Sequence, residues 1–453
     1  MNDFDRRQAL QVGGAAMIGA TAMGSAPSAS AAAVPRVSLD EPLLNFARAY
    51  DEMERTNVDA LVCALPQNIY YLTNHYPLLS RMGVGHSAYA ILLRDQTRKP
   101  LLIIGHFSYY YTVADDQISR FADVSLYTAP SDSDAVGLLE QQADPGQMPQ
   151  LHDSSLQQAK ERARREAVMA VTRDVSASGE QALLRALADF GAGLKTVAVD
   201  DQAIGQVLSA GGLDVKTING ETLIRSIRLQ KSPAELSLAR YAADANARAG
   251  LAAAKTARDG AMISEVRAAY AAECIKRGLQ MEFMVVDRVS SPIFDAPLVD
   301  GQAFLIDCVS QFHHYHGDYG RTIFLGEATQ KMKAATTAMG RIWDQVRSQL
   351  RPGIRYSDIR AMAAKAIKET RIDANIICNP HSVGMFHTDE PSASDHYSFK
   401  KPDLVVKENM VLSIDIAMID AGLGGSAHLE DLMLITKDGA EPLNDIGDRV
   451  ITI

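Results

Sequence analysis

Phe304-Leu305-Ile306-Asp307-Cys308-Val309 and, after a polar turn, Gly317-Asp318-Tyr319-Gly320-Arg321-Thr322-Ile323-Phe324-Leu325 read as two adjacent β-strands, each with a carboxylate set into apolar sequence. A carboxylate in such a place is costly to bury unless it is paired, hydrogen-bonded or bound to a cation. The anomaly recurs at Asp415 within Val411-Leu412-Ser413-Ile414-Asp415-Ile416-Ala417-Met418. It recurs again where Glu430 and Asp431 interrupt His428-Leu429 and Leu432-Met433-Leu434-Ile435. Carboxylates that converge without a cation repel one another. Two divalent ions resolve that conflict, because dinuclear sites share bridging carboxylates across about 3.5 to 4 Å and activate a water between the ions.

Working outward, the segment around these strands shows an internal likeness. Arg258-Asp259-Gly260-Ala261-Met262-Ile263-Ser264-Glu265-Val266-Arg267-Ala268 recurs as Arg351-Pro352-Gly353-Ile354-Arg355-Tyr356-Ser357-Asp358-Ile359-Arg360-Ala361, each copy set between two helical patterns and leading into strands that carry acidic or histidine residues. Two similar α/β halves facing a cleft are therefore expected. This region opens at Ser232-Pro233-Ala234-Glu235, where Ser232 can cap a helix that has Pro233 at its first position and Glu235 three residues on. Upstream, helical and extended patterns alternate from about Leu39 to Leu213, as in an α/β domain. Asp59 to Ala64, Ala88 to Arg94, Pro100 to Gly105 and Thr196 to Asp200 are the strand candidates, and amphipathic helices are expected near residues 155–173 and 178–190. No glycine fingerprint for a nucleotide follows any of these strands.

The order of the acidic residues resembles that of the pita-bread metallopeptidases, the family of aminopeptidase P, prolidase, methionine aminopeptidase and creatinase. Asp307 and Asp318 are similar in spacing and context to that family's first ligand pair, with Gly317-Asp318-Tyr319-Gly320-Arg321-Thr322 especially close. His381 in His381-Ser382-Val383-Gly384-Met385-Phe386-His387 resembles the histidine ligand, and His387 the second histidine, which contacts substrate. Asp415 stands where the family has its first glutamate, and Glu430 matches the last. The likeness runs from about Lys231 to Asp438; upstream, Asn68-Ile69-Tyr70-Tyr71-Leu72-Thr73-Asn74 is similar to the creatinase-like N-terminal domain.

What the resemblance implies is an α/β chain with a creatinase-like domain over residues 39–228 and a duplicated, antiparallel-sheet catalytic domain over 229–453. It further implies two divalent ions on Asp307, Asp318, His381, Asp415 and Glu430, and a homodimer. The leading expectation is hydrolysis of an amide, Xaa-Pro-like peptide or related C–N bond in a small substrate. His387 would polarise that substrate, and Asp415 or a bridging water would take the proton. An oxygen-rich set with one imidazole favours manganese or iron, with zinc or cobalt as substitutes.

Three departures from the family pattern bear on the reaction. Asp415 is one methylene shorter than a glutamate, which retracts its carboxylate by about 1.5 Å. Val289-Ser290-Ser291-Pro292-Ile293-Phe294-Asp295 lacks the further histidine that the peptidases carry before the first Asp. The interval from His381 to His387 is one residue short. A lyase of the dimethylsulfoniopropionate type, with Tyr315, Tyr319 or Asp295 as base, and a noncatalytic binding module are the alternatives. The run His313-His314-Tyr315-His316 falls at the hairpin turn, where its rings would splay apart rather than converge on a metal. Cys308 should face away from Asp307 into the core. His428 shares the face of Glu430 and can stand behind the ligands.

The bulk numbers fit a multidomain enzyme. The 453 residues exceed one ordinary core, 47% are hydrophobic and 22% charged, and the net charge of -10 excludes a nucleic-acid partner that would need a basic face. Cys63, Cys274, Cys308 and Cys378 lack zinc spacing and are expected as buried thiols. Residues 1–38 read as an export signal of twin-arginine type: Arg6-Arg7, an apolar run from Val12 to Met23, and a small-residue cleavage region at Ser28 to Ala33. The run is too short and glycine-rich to span a bilayer, so the mature chain is expected without a membrane span, in the periplasm or outside the cell, or in the cytoplasm should the segment not act as a signal.

Overall fold

Two sheets organise the chain, and the change from one to the other follows the capped helix foreseen at Ser232. The computed structural model describes residue 34 and residues 41–114, 120–128, 159–171, 175–394, 399–418 and 422–453. Residues 1–38, expected as an export signal, lie outside the described residues apart from Val34. From Val34 to Ile453 the chain is one compact unit.

The first sheet has the order β4-β3-β2-β1-β5-β6. Its strands are β1 (Ala60–Cys63), β2 (Ala88–Leu93), β3 (Leu101–Gly105), β4 (Asp123–Tyr127), β5 (Thr196–Val199) and β6 (Lys216–Asn219). β1, β2 and β3 pair antiparallel, while β4, β5 and β6 add in parallel. The helices are α1 (Phe46–Arg55), α2 (Pro66–Thr73), α3 (His106–Ala114), α4 (Ala159–Ala170), α5 (Gly179–Ala188), α6 (Gln202–Ala210) and α7 (Gly220–Arg228). Both expected amphipathic helices are present as α4 and α5, α5 shorter than the pattern suggested, while residues 155–158 and 172–173 of the first expectation lie outside the described residues.

Next comes α8 (Pro233–Ala254), held at its start by the reciprocal Ser232 and Glu235 bonds and by Pro233 at its first position. From there the element order repeats. α8, α9 (Ile263–Lys276), β7 (Gln280–Val286), β8 (Ala303–Phe312) and β9 (Tyr315–Phe324) form one half. α10 (Gln330–Arg347), α11 (Tyr356–Thr370), β10 (Ile376–Ser382), β11 (Val411–Met418) and β12 (Ala427–Ile435) form the other. The repeated sequence explains itself as helix capping. The Ser264 amide and hydroxyl donate to Asp295, and the Ser357 amide and hydroxyl donate to Asp403 in the same way, at 2.6 to 3.0 Å.

All these strands join in one sheet of order β10-β11-β12-β9-β8-β7, with β13 (Ala440–Pro442) on β12 and β14 (Val450–Thr452) on β9. The two halves meet at β9 and β12, where Gly320 stands opposite Glu430. Glycine is needed there because a Cβ on Gly320 would lie 2.5 Å from the His428 ring and 2.9 Å from the Glu430 Cβ. Trp343 and Met339 on α10 and Ile359 on α11 cover one side of this sheet, and α8 packs over Cys308 and Tyr319 with Gly250 against the Cys308 sulfur. No helix of the described residues is long and apolar enough to cross a membrane.

Candidate metal centre

Strand register decides which side chains meet, because alternate residues share a face. Asp307 lies opposite Gly320, and Gly320 opposite Glu430; Asp318 lies two residues from Gly320 on the same strand. Asp415 lies opposite Glu430 and Asn379, and His381 opposite Ser413. Asp307, Asp318, His381, Asp415, His428 and Glu430 therefore project from one face, on the five strands from β8 to β10 in the sheet order. Asp431, one residue along, points to the other face, where Arg321 donates to it at 2.7 Å. That buried pair satisfies the one acidic residue of the sequence pattern that does not belong to the cluster.

The convergent side chains form two groups able to hold an ion. Asp318, His381 and His387 offer ligand atoms within 4.8 Å of one another, as do Asp307, His428 and Glu430. His387 Nε2 is 3.1 Å from Asp318 Oδ2, and His381 Nε2 is 3.7 Å from both Asp318 Oδ2 and Glu430 Oε1. The Ser413 hydroxyl donates to Glu430 Oε1. His428 Nε2 donates to Asp415 Oδ1 at 2.8 Å and lies 3.5 Å from Glu430 Oε2. Asp318 and Glu430 are 0% and 2% exposed. Asp307 Oδ1 and both Asp318 oxygens are buried and accept no properly aimed hydrogen bond from any described residue. Among the described residues, no lysine or arginine forms an ion pair with Asp307, Asp318 or Glu430. Acceptors left in that condition fit a cation.

The electrostatics carry the same strain. Burial, and then the Glu430 charge, push Asp307 well above the usual carboxylate range. Burial and the Asp318 charge raise Glu430 as well. Burial would also raise Asp318, yet its contact with His387 and the charges of His387 and His381 hold it below the ordinary value. For His387 burial acts against the charge, and the pairing with Asp318 outweighs it, raising the ring to about 9.

The short interval between His381 and His387 does not separate the two rings, whose centroids lie 4.7 Å apart. Phe283 of β7 meets His387 edge-on at 5.7 Å. The loop that carries His387 is pinned behind the site. Asp389 accepts from the Met385 amide at 3.1 Å, and its own amide donates to the Ser382 carbonyl at 2.8 Å.

Several expectations need correction. The histidine run does not all lie in the turn: His313 and His314 alone form it, with φ of 47° and 69°. β9 starts at Tyr315, so His316 shares the face of Asp318, with its Nδ1 3.3 Å from the Gly384 carbonyl oxygen. His314 instead stacks on Tyr76 at 4.0 Å. None of the bases considered for an elimination is on the site face. Tyr315 and Tyr319 alternate away from Asp318, Tyr319 donates to the Ile446 carbonyl at 2.9 Å, and Asp295 is engaged at the start of α9. Cys308 is buried on the opposite face, as expected, and the four thiols are unbridged. Ser413 and Phe283 were not singled out in the sequence, although the alternation that places Asp415 also places Ser413.

Residues 237–437 match the family model described as metallopeptidase family M24. This region is an M24 metallopeptidase domain. The Xaa-Pro dipeptidase of Pyrococcus furiosus is 24% identical over 243 residues, which span 49% of this chain and 65% of that protein, so the match falls just short of two thirds of the relative's length. The probable dipeptidase PepE of Mycobacterium tuberculosis is 24% identical over 275 residues, 58% of this chain and 71% of its own. Among solved structures, the prolidase from Pyrococcus horikoshii superposes with a TM-score of 0.62 at 18% identity, over 89% of this chain and 99% of that one. The X-Pro aminopeptidase from Thermotoga maritima does so with a TM-score of 0.64 at 16% identity, over 89% and 100%. The pita-bread architecture, an α/β domain with a mixed sheet followed by an antiparallel-sheet domain, is thus that of the prolidase structures.

Proposed function

We propose that the chain is a dinuclear metal-dependent hydrolase that cleaves an amide bond in a short peptide of Xaa-Pro type or a related small substrate. The observation that carries this reading is the convergence of Asp307, Asp318 and Glu430 with His381 on one buried sheet face, with oxygens of Asp307 and Asp318 that accept no properly aimed hydrogen bond from a described residue. The names of the relatives support the substrate class.

Asp307, Asp318, His381 and Glu430 would hold the ions, with Asp415 at the edge of the set. Bound there, two divalent ions supply Lewis acidity and a water made nucleophilic at neutral pH. The chain's own residues orient the reaction. The His387 side chain is 37% exposed, and its Nε2, which pairs with Asp318, would be free to donate to a substrate carbonyl once an ion takes up that carboxylate. The Asp415 side chain is 25% exposed and keeps one oxygen on His428, which leaves the other to accept a proton. The Ser413 hydroxyl fixes Glu430 so that it faces Asp318 rather than the core. Manganese or iron suits the oxygen-rich part of this set.

The deciding experiment strips the protein with a chelator and reconstitutes it with manganese, cobalt or zinc. Xaa-Pro dipeptides and N-acyl amino acids are then assayed in heavy-oxygen water. Activity that returns with metal, together with label in the carboxylate product, supports the reading; full activity without metal, or no cleavage with two ions bound, refutes it. We also read residues 1–38 as a twin-arginine export signal, residues 39–228 and 229–453 as the two domains, and the assembly as a homodimer. Cell fractionation, limited proteolysis and sedimentation test these in turn.

A further inference from the structure

His428 lies on the metal face, yet the expected ligand set leaves it out. It projects from β12 two residues before Glu430 and is 5% exposed. Its Nε2 lies 2.8 Å from Asp415 Oδ1 and 3.5 Å from Glu430 Oε2, and its ligand atom is within 4.8 Å of those of Asp307 and Glu430. Ligand atoms that each stand about 2.0 to 2.2 Å from one tetrahedral ion are separated by about 3.3 to 3.6 Å, and the 3.5 Å between Nε2 and Glu430 Oε2 fits two donors of a single ion. The ring cannot be there merely to fill space. Gly320 gives up its side chain to admit it, since a Cβ would come within 2.5 Å of Nδ1. Asp415, one methylene short of a glutamate, meets the imidazole rather than joining either three-residue group.

We propose that His428 is a direct metal ligand, holding the second ion with Asp307 and Glu430, so that each ion of the pair has an imidazole; this rests on the dinuclear reading above. The consequence is a shift in metal preference. A set with imidazole on both ions favours zinc or cobalt over manganese more strongly than one with His381 alone, because imidazole nitrogen suits those metals and carboxylate suits manganese. Nε2 faces both Asp415 and Glu430, so on ligation it would give up the proton it shares with Asp415, which leaves that carboxylate beside the ion rather than behind the ring.

The test reads metal, not turnover. Metal-stripped full-length protein and its His428→Ala and His428→Gln variants are loaded with cobalt(II), and bound metal is measured by elemental analysis alongside the visible spectrum and competitive zinc and manganese titrations. Circular dichroism checks that each variant is folded, and two variants of different size guard against one that fails to fold. The expected result is two cobalt ions per wild-type chain and one per variant at matched free metal, with an altered d–d band. Second-ion affinity should fall more than the about 10- to 100-fold that loss of an outer partner produces, and the zinc-over-manganese preference should shrink. Variants that bind two ions with an unchanged spectrum and preference overturn the assignment while leaving the dinuclear reading intact. A wild-type chain that binds no ion overturns both.

Discussion

The buried pair Arg228–Asp389 offers the sharpest stability test, because it joins the first sheet to the loop that carries His387. Both side chains are 0% exposed, with Nη2 2.8 Å from Asp389 Oδ1. Arg228 also donates to Asn68, which in turn donates to Asp200 at the end of β5 at 2.9 Å. Burial would raise the Asp389 carboxyl, but Arg228 and Lys231 together hold it below the ordinary range. Arg228→Met strips the main counter-charge and leaves Asp389 with Lys231 and Arg225, so about 3 to 5 kcal/mol should be lost, as when one partner of a buried pair is removed. Asp389→Asn should cost a similar amount by stranding the guanidinium. The double variant Arg228→Met/Asp389→Leu should recover most of the loss, since replacing both partners with apolar groups is often close to neutral. Urea unfolding can be followed through Trp343, the single tryptophan, which is 1% exposed in α10. Because Asp389 has a depressed value in the folded chain, its stabilisation is complete above the unfolded carboxyl value of about 3.9 and is lost as the pH falls through the folded one. A loss under about 1 kcal/mol for Arg228→Met, or single effects that simply add in the double variant, would show that the pair does not hold the loop.

Asp307→Asn should leave the unfolding free energy without metal within about 1 kcal/mol of wild type, since burial and Glu430 already favour the neutral acid, yet it should abolish binding of one ion; calorimetric titration with cobalt checks both halves, and unchanged stoichiometry counts against the site. His75 is 3% exposed and burial lowers it to about 4 from an ordinary value near 6.5. The folded chain thus binds fewer protons than the unfolded one between those values. Its stability, complete above pH about 6.5, should drop by about 3 kcal/mol as the pH falls to about 4, at about 1.4 kcal/mol per pH unit. His75→Phe should flatten that slope, and an identical slope in the variant refutes the assignment. Gly320→Ala forces the His428 ring and Glu430 aside, so metal affinity should fall by at least about 10-fold while circular dichroism stays unchanged; wild-type affinity in this variant would mean that the ring has room to spare.

Most of the catalytic-type half is legible in the sequence because its signal is an anomaly. An aspartate inside Leu-Ile-Asp-Cys-Val has few physical excuses, and strand alternation then fixes which neighbours share its face. The start of α8 was equally readable, since Ser232 precedes a helical pattern with Glu235 in its first turn; Ser264 and Ser357 instead sit one residue inside α9 and α11, behind Met262 and Arg355. What the sequence hid depends on quantities that pattern does not carry. The two-residue turn at His313 and His314 requires positive φ at both positions, which histidine adopts less readily than glycine or asparagine, so the start of β9 and the inward face of His316 were misplaced. The partner of Asp415 was hidden because side-chain length, not strand position, decides whether its carboxylate reaches the cluster or the His428 ring.

The duplication gives a physical reason for the site's location. In the first half the acids sit on the second and third strands, as Asp307 and Asp318; in the second half they sit on the second and third strands again, as Asp415 and Glu430. Each half taken alone presents one carboxylate from its edge strand, Asp318 on β9 or Glu430 on β12, and one from the strand beside it, where water can reach them. Joining β9 to β12 through Gly320 and Glu430 brings the acids of both edges into the middle of one sheet, where Asp318 and Glu430 lose that water. The join is therefore unfavourable in charge although favourable in backbone pairing and apolar burial. A cation that binds both halves would remove the opposition, so ion binding would stabilise the closed seam. The histidines belong to the second half and reach across the seam, His381 to Asp318 and His428 towards Asp307, while each also meets an acid of its own half.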